Sequence, residues 1–539
     1  MLVKNSLTLE AISIFCISLI LFTWGLSSQE VISFDSRFYL FALEMWRHGA
    51  SWFSTTYQQP YPDYPATSTW LIYLFAKSAG TINKLIAVLP SAMMASVTLV
   101  MTYLVGVLHN KHWGRNAVFL LLLTFTFFKS ARSIALDLYP TMITVCCFYL
   151  VYSADKIART NRTLWVYPLL LLSFLFRGPI GLVMPTGVIC TYYLLDQNYK
   201  RFFQLGLLST LLLIVCTGLL LLLAQHVGGN HFMRDVLRME ILGRMTHSHL
   251  PIYYYLTNSI GSYALSFPLA LAVIFGTIYY GYHKHYPLPH IAFIWKLTGW
   301  MAIIMVGMSI PGDKKVRYIL PMAPAAALIA AYPFSILLKE NYFIVLRRII
   351  IGLLELLPCL IMLTTVGIFY YAKNHQWHVA IAYPLLIILL LTLQLITAIL
   401  FHRHRKQTTT YATKILALAA ISFALSYIML IEPIELHIDR AREFVIAIEN
   451  QRLAQQAELV FYKEQPDGLP IKYLINMPKE EQPLFINNPQ AIIDSHKPAY
   501  YVTSVSYFRQ LPNNFTKKLN IVGYDYLGHK PVVVFTKKQ

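Results

Sequence analysis

Runs of about 20 apolar residues recur along this chain, and no other feature limits its fold so tightly. They fall at 8–27, 83–108, 115–130, 137–153, 165–177, 179–195, 203–226, 262–282, 291–310, 318–338, 349–371, 379–401 and 414–431, about thirteen in all. The two shortest meet at Arg177-Gly178-Pro179 and read either as two short spans or as one long broken one. Only 13% of the residues are charged, about half of what a soluble globular chain carries. The spacing therefore predicts a polytopic α-helical membrane protein. The first run is not read as a cleavable signal peptide, because no small-x-small site precedes the next loop and further spans follow at once.

Lys plus Arg outnumber Asp plus Glu by 44 to 25. In a soluble protein that excess would raise nucleic acid as a partner. Here much of it lies in alternate short loops: Lys111 and Arg115; Lys156, Arg159 and Arg162; Lys200 and Arg201; Lys339, Arg347 and Arg348; Arg403, Arg405 and Lys406. Basic short loops mark the cytoplasmic side, and Lys4 puts the N-terminus there too. The opposite side then receives 28–82, 129–136, the Arg177 corner, 227–261, 311–317 and everything after Glu432. The six cysteines all fall inside apolar runs without metal-ligand spacing, so they read as small core residues and not as a disulfide framework.

Residues 432–539 change character. Charge density rises, and alternating apolar strings appear at 458–462, 499–503 and 531–535, with helical stretches at 441–455 and 489–495 between them. This predicts a small soluble α/β domain outside the cytoplasm, following a transmembrane domain over 1–431.

The first outer loop, 28–82, gathers Asp35, Arg37, Tyr39, Glu44, Arg47, His48 and Asp63 at a membrane border. Anchoring alone needs only an apolar span with interfacial aromatics and basic flanks. A loop this long and polar, tied to a helix at each end, reads as a ligand site more readily than as a solvated connector. The same side carries basic residues against the translocation bias: Lys129 and Arg132 in one short loop, and Lys314, Lys315 and Arg317 beside Asp313 in another. A bound anion is the simplest compensation; snorkelling to lipid headgroups is the competing reading. Asp137 stands at the mouth of a span, where an acid without a partner is expensive, although a helix-start cap would also explain it. Together these residues suit transfer of a group carried on a lipid phosphate. Cations hold the phosphate as it leaves, a carboxylate can deprotonate an acceptor hydroxyl, and a divalent metal on an acid plus a histidine could assist. No nucleotide-binding loop is visible, so a nucleotide cofactor is not expected.

At this point the residues carry a resemblance. Asp35-Ser-Arg-Phe-Tyr39 followed by Glu44-Met-Trp-Arg-His-Gly49 resembles the first outer loop of GT-C glycosyltransferases, in the branch shared by lipid A aminoarabinose transferase and protein O-mannosyltransferase-like enzymes. Pro62-Asp-Tyr-Pro65 with Trp70, Arg132 through Asp137-Leu-Tyr-Pro140, Phe176-Arg-Gly-Pro179 and Gly312-Asp-Lys-Lys-Val-Arg-Tyr318 are similar, in order, to that family's later motifs. The resemblance implies Asp35 and Asp137 as catalytic acids, with Asp35 the favoured base or acceptor-orienting group. It implies Arg37, Arg132, Arg177, Lys314 and Arg317 as donor-phosphate ligands and Tyr39, Tyr64 and Tyr318 as substrate contacts. Asp63 would match an acid that holds a metal (zinc, magnesium or manganese) with a histidine, for which His247 and His249 are both matches. Tyr64 stands where the lipid A aminoarabinose enzymes have lysine, so donor or acceptor differs in expectation.

The expected function is transfer of a sugar, with inversion, from a polyprenyl-phosphate donor to lipid A, another envelope glycan or a protein. The expected setting is the periplasmic face of a bacterial inner membrane, with lipid and not nucleic acid as partner. A transporter or flippase is the second reading, but the polar residues gather at one membrane face, away from the midplane, and inverted repeats are not apparent. A structural envelope protein using its C-terminal domain as a binding module is the third.

Overall fold

The computed structural model describes the chain apart from residues 1, 34, 159, 243–249, 284–287, 376, 378, 380, 404–407 and 539. It divides into two compact units. The first comprises Met1–Trp24, Pro62–Ser68 and Val88–Leu430; the second comprises Gly25–Tyr61, Thr69–Ala87 and Ile431–Gln539.

Among the described residues nine helices are long and apolar enough to cross a membrane, or ten if the pair Tyr254–Ser262 and Ser266–Tyr282, bent by 114°, forms one span. The gap from thirteen apolar runs has physical causes. Run 115–130 is divided between α5 (Lys111–Leu122) and α6 (Phe125–Ala131). Run 137–153 forms α7 (Leu138–Ile157), whose tyrosines and threonines dilute its apolar character. Runs 165–177 and 179–195 join as one helix, α8 (Val166–Leu195), broken at Arg177 and Gly178.

The first unit is a helical bundle. It contains α1 (Leu2–Thr23), most of α4 (Lys84–Val107), α5 to α8, and α9 (Tyr199–Leu237), with further helices at Ile291–Ser309, Asn341–Asn374, Tyr383–Arg403 and Thr409–Ser426. Its centre is the run Val316–Ser335, buried in the protein from Tyr318 onward. Small alanines over Ala323–Ala331 let neighbours pack against it closely. Two indoles fix it: Trp300 Nε1 donates to the Pro321 carbonyl at 2.9 Å and Trp113 Nε1 to the Leu328 carbonyl at 2.8 Å. The turn from α4 to α5 depends on close backbone contact, since a Cβ on Gly106 would sit 2.6 Å from the Gly114 Cα.

The second unit holds α2 (Asp35–His48), a short hairpin of β1 (Thr55–Thr56) and β2 (Gln59–Pro60), α3 (Thr67–Ala79, of which Thr69 onward belongs here), and the tail. The tail forms a five-stranded mixed sheet of order β4-β3-β5-β7-β6, with β3 Glu458–Tyr462, β4 Leu484–Ile486, β5 Ala499–Ser504, β6 Leu519–Leu527 and β7 Lys530–Lys537. The β3 strand pairs in parallel with β4 and β5; β7 runs antiparallel to β5 and β6. Alternation splits the strands between two cores: Leu459 and Phe461 enter one with Val445 and Tyr473, while Val460 and Tyr462 enter the other with Ile492 and Phe535. Within this unit the first outer loop is tied to the tail. Arg37 pairs with Asp467 at 3.5 Å, His48 Nε2 meets Glu480 at 2.7 Å, and Glu30 accepts the Arg442 backbone N–H at 3.2 Å.

Candidate active site

The site is built where α8 breaks. Pro179 has no backbone N–H and disfavours helical geometry in the residue before it. That residue is Gly178, at φ 61° and ψ −152°, a region essentially restricted to glycine. The break turns Arg177 out of the helical path (φ −139°, ψ 17°) and leaves its side chain 9% exposed. Its guanidinium is held on several sides. Nε donates to Asp137 Oδ1 at 3.1 Å and Nη1 to the Tyr64 hydroxyl at 2.9 Å. The plane lies 5.3 Å from the Tyr64 ring centre and 5.7 Å from that of Tyr318.

Asp137 sits at the N-terminus of α7 but its side chain makes no capping bond. The cap reading therefore gives way to a different arrangement. Its second oxygen, Oδ2, faces Arg317 Nε at 3.4 Å, so one carboxylate bridges two guanidiniums. Arg317 enters from the start of the buried central run, where Tyr318 donates its hydroxyl proton to Asp313 at 3.2 Å. Lys315 pairs with the same Asp313 at 3.8 Å, and buried Lys314 donates to the Leu250 carbonyl at 3.1 Å.

Asp63 precedes α3 and accepts the Tyr64 backbone N–H at 3.0 Å. Its neighbour is a residue that sequence reasoning missed, Glu240, which is 5% exposed and shares a hydrogen bond with Asp63. Burial, reinforced by the adjacent Glu240 charge and that hydrogen bond, holds the Asp63 carboxyl well above the usual aspartate range; Arg177 and the Tyr64 N–H oppose the shift. Glu240 follows α9, whose own path breaks at Gly229 (φ 73°), and its Oε2 lies 3.2 Å from where a Cβ on Gly178 would stand. It is the only carboxylate between Asp235 and Asp313, and that isolation beyond a long apolar run was the available signal.

Within the first unit, then, the structure brings together Asp63, Tyr64, Asp137, Arg177, Arg317 and Tyr318 from the expected set. Arg132 departs from its expected place among phosphate ligands. It is 2% exposed, with Nη1 on the Leu21 carbonyl and Nη2 on the Trp24 carbonyl, both at 2.8 Å, and so closes the C-terminal end of α1. Asp35, Arg37 and Tyr39 belong to the second unit, where Asp35 begins α2 and Tyr39 donates to the Ile82 carbonyl at 3.3 Å. His247 and His249 lie outside the described residues. Among the described residues no group of three or more His, Cys, Asp or Glu is placed to hold a metal.

No protein-family profile matches the chain. An uncharacterized protein of Aquifex aeolicus (strain VF5) is 25% identical over 273 residues, 50% of this chain, and the chain spans about half (52%) of that relative's length. Among solved structures the crystal structure of ArnT from Cupriavidus metallidurans bound to undecaprenyl phosphate superposes with a TM-score of 0.71, at 16% identity and over 98% of both chains. The apo state of the same ArnT gives 0.69 at 15% identity, again over 98% of both. The chain has the fold of ArnT, a GT-C fold with a small sheet-containing C-terminal region.

Proposed function

We propose that this chain transfers a sugar from a polyprenyl-phosphate donor to lipid A, another envelope glycan or a protein, with inversion at the sugar carbon. The observation that carries the reading is the pair of guanidiniums, Arg177 and Arg317, held on the two oxygens of one buried aspartate. Guanidinium forks match phosphate oxygens and stabilise charge as a phosphate departs. The lipid donor is supported by the shared fold with an ArnT that binds undecaprenyl phosphate. Arg177 and Arg317, with Lys314 nearby in sequence, receive the phosphate in this reading; Tyr64 and Tyr318 line the same place. Asp35 keeps its proposed role as the group that orients or deprotonates the acceptor. The charge bias of the short loops supports a cytoplasmic N-terminus and a tail on the opposite face, which in a bacterial inner membrane is the periplasmic one.

A divalent metal (zinc, magnesium or manganese) would find two carboxylate donors here. Asp63 and Glu240 are two carboxylates already close enough to share a proton, and both would hold the ion. When bound, it would supply positive charge to phosphate oxygens. Envelope lipids and glycoproteins compared by mass spectrometry between a deletion strain and its parent test the proposal. A sugar missing from one acceptor class supports it and names the acceptor; identical profiles overturn it.

A further inference from the structure

Asp137 is the acid whose surroundings least resemble those of a proton acceptor. Its side chain is 7% exposed, and each oxygen already faces a guanidinium: Oδ1 at 3.1 Å from Arg177 Nε and Oδ2 at 3.4 Å from Arg317 Nε. Those partners arrive from chain segments 40 and 180 residues away, and the carboxylate joins them directly, while the Tyr318 ring lies 5.7 Å from each guanidinium. Arg177 is further fixed by the Tyr64 hydroxyl at 2.9 Å and by the rings of Tyr64 and Tyr318.

We propose that Asp137 is a positioning residue: it spaces Arg177 and Arg317 so that both take up one phosphoryl group, and it does not carry the proton of the reaction. This rests on the glycosyl-transfer reading above and deepens it. Removing the carboxylate leaves two like charges facing each other near the protein interior, where they repel and lose their common orientation. Net charge alone would have the opposite effect, since the site would become more positive and attract an anion more strongly. Spacing and net charge thus act with opposite sign, and a binding measurement separates them.

The test uses the full-length protein in detergent and undecaprenyl phosphate without sugar as the probe, with the melting temperature recorded for every variant. Asp137→Asn is expected to weaken binding about tenfold, the equivalent of losing one charge-assisted hydrogen bond. Asp137→Glu keeps the charge but alters the spacing, and is expected to fall between. Tyr64→Phe keeps the ring and removes only the hydroxyl that holds Arg177, and is expected to weaken binding about threefold; Asp137→Glu serves if Asp137→Asn does not fold. Unchanged or tighter binding in Asp137→Asn, or in Asp137→Glu if the amide variant does not fold, overturns the inference while leaving glycosyl transfer intact. Failure of the unsubstituted protein to bind the lipid phosphate overturns both.

Discussion

Gly178→Ala is the smallest change that should disable the site, because the break in α8 depends on a backbone state alanine rarely adopts. At φ 61° and ψ −152° a side chain is strained wherever it points, at a cost of about 1–3 kcal/mol. Space adds to the strain: the new Cβ would stand 3.2 Å from Glu240 Oε2 and 3.4 Å from the Tyr64 Cβ. The Glu240 carboxyl ends a flexible side chain and can shift by a few tenths of an ångström, so backbone strain costs more than crowding. Relief requires the chain to move toward helical geometry, and the 3.1 Å bond from Arg177 Nε to Asp137 breaks first. A displacement of about 1 Å in a positioned group costs on the order of 100-fold in rate. The assay is sugar transfer by the protein in proteoliposomes at saturating donor, with Gly206→Ala as the control. Gly206 has nothing within 4 Å of an added Cβ, and that variant should retain full activity. Unimpaired transfer in Gly178→Ala would refute the argument that the break aims Arg177.

Further outcomes follow from the same geometry. Arg177→Lys keeps a cation but loses the fork that meets Asp137 and Tyr64 together, and should lower transfer about 100-fold with the protein still folded; near-normal rates would remove Arg177 from the phosphate site. Glu240→Gln relieves the acid pair. Because the folded protein holds the Asp63 proton more tightly than the unfolded chain, the stability from this group is full below the ordinary aspartate pKa and is lost as pH rises through the raised value. Stability should therefore fall as pH rises from the ordinary aspartate value through the raised one in the unsubstituted protein. The melting temperature should fall with it, and fall less in Glu240→Gln; equal slopes would contradict the pairing. Chelation should reduce transfer at least about tenfold, with recovery on adding zinc, magnesium or manganese, if Asp63 and Glu240 hold a metal; activity indifferent to chelation excludes a metal requirement.

The membrane fold was legible because long apolar runs admit few alternatives, and the Gly178-Pro179 pair announced the break in α8. The residues at 63, 64, 137, 177, 317 and 318 were nominated by chemistry and motif order, but their partnerships were not legible. A carboxylate bridging arginines at positions 177 and 317 is a long-range arrangement with no local trace. The partners of Arg132 were not legible for a related reason, since the helix-end carbonyls that receive it carry no sequence signature. Glu240 belongs to no motif, and its pairing with Asp63 is a long-range contact without a local trace. In the tail, β3, β5 and β7 were visible as alternating apolar strings. The edge strands β4 and β6, largely exposed, had no such pattern. Nor could the sequence reveal that 25–61 and 69–87 form one compact unit with the tail.

The most direct test of a lipid-phosphate donor held by paired arginines is to follow the carrier itself. Purified protein is incubated with polyprenyl-phosphate-linked sugars and envelope acceptors, and the lipids are weighed by mass spectrometry. The account predicts that sugar-bearing lipid becomes bare polyprenyl phosphate with the intact protein, and that this conversion nearly disappears with Arg177→Lys. A carrier that keeps its sugar in the presence of the folded, unsubstituted protein and acceptors would contradict it.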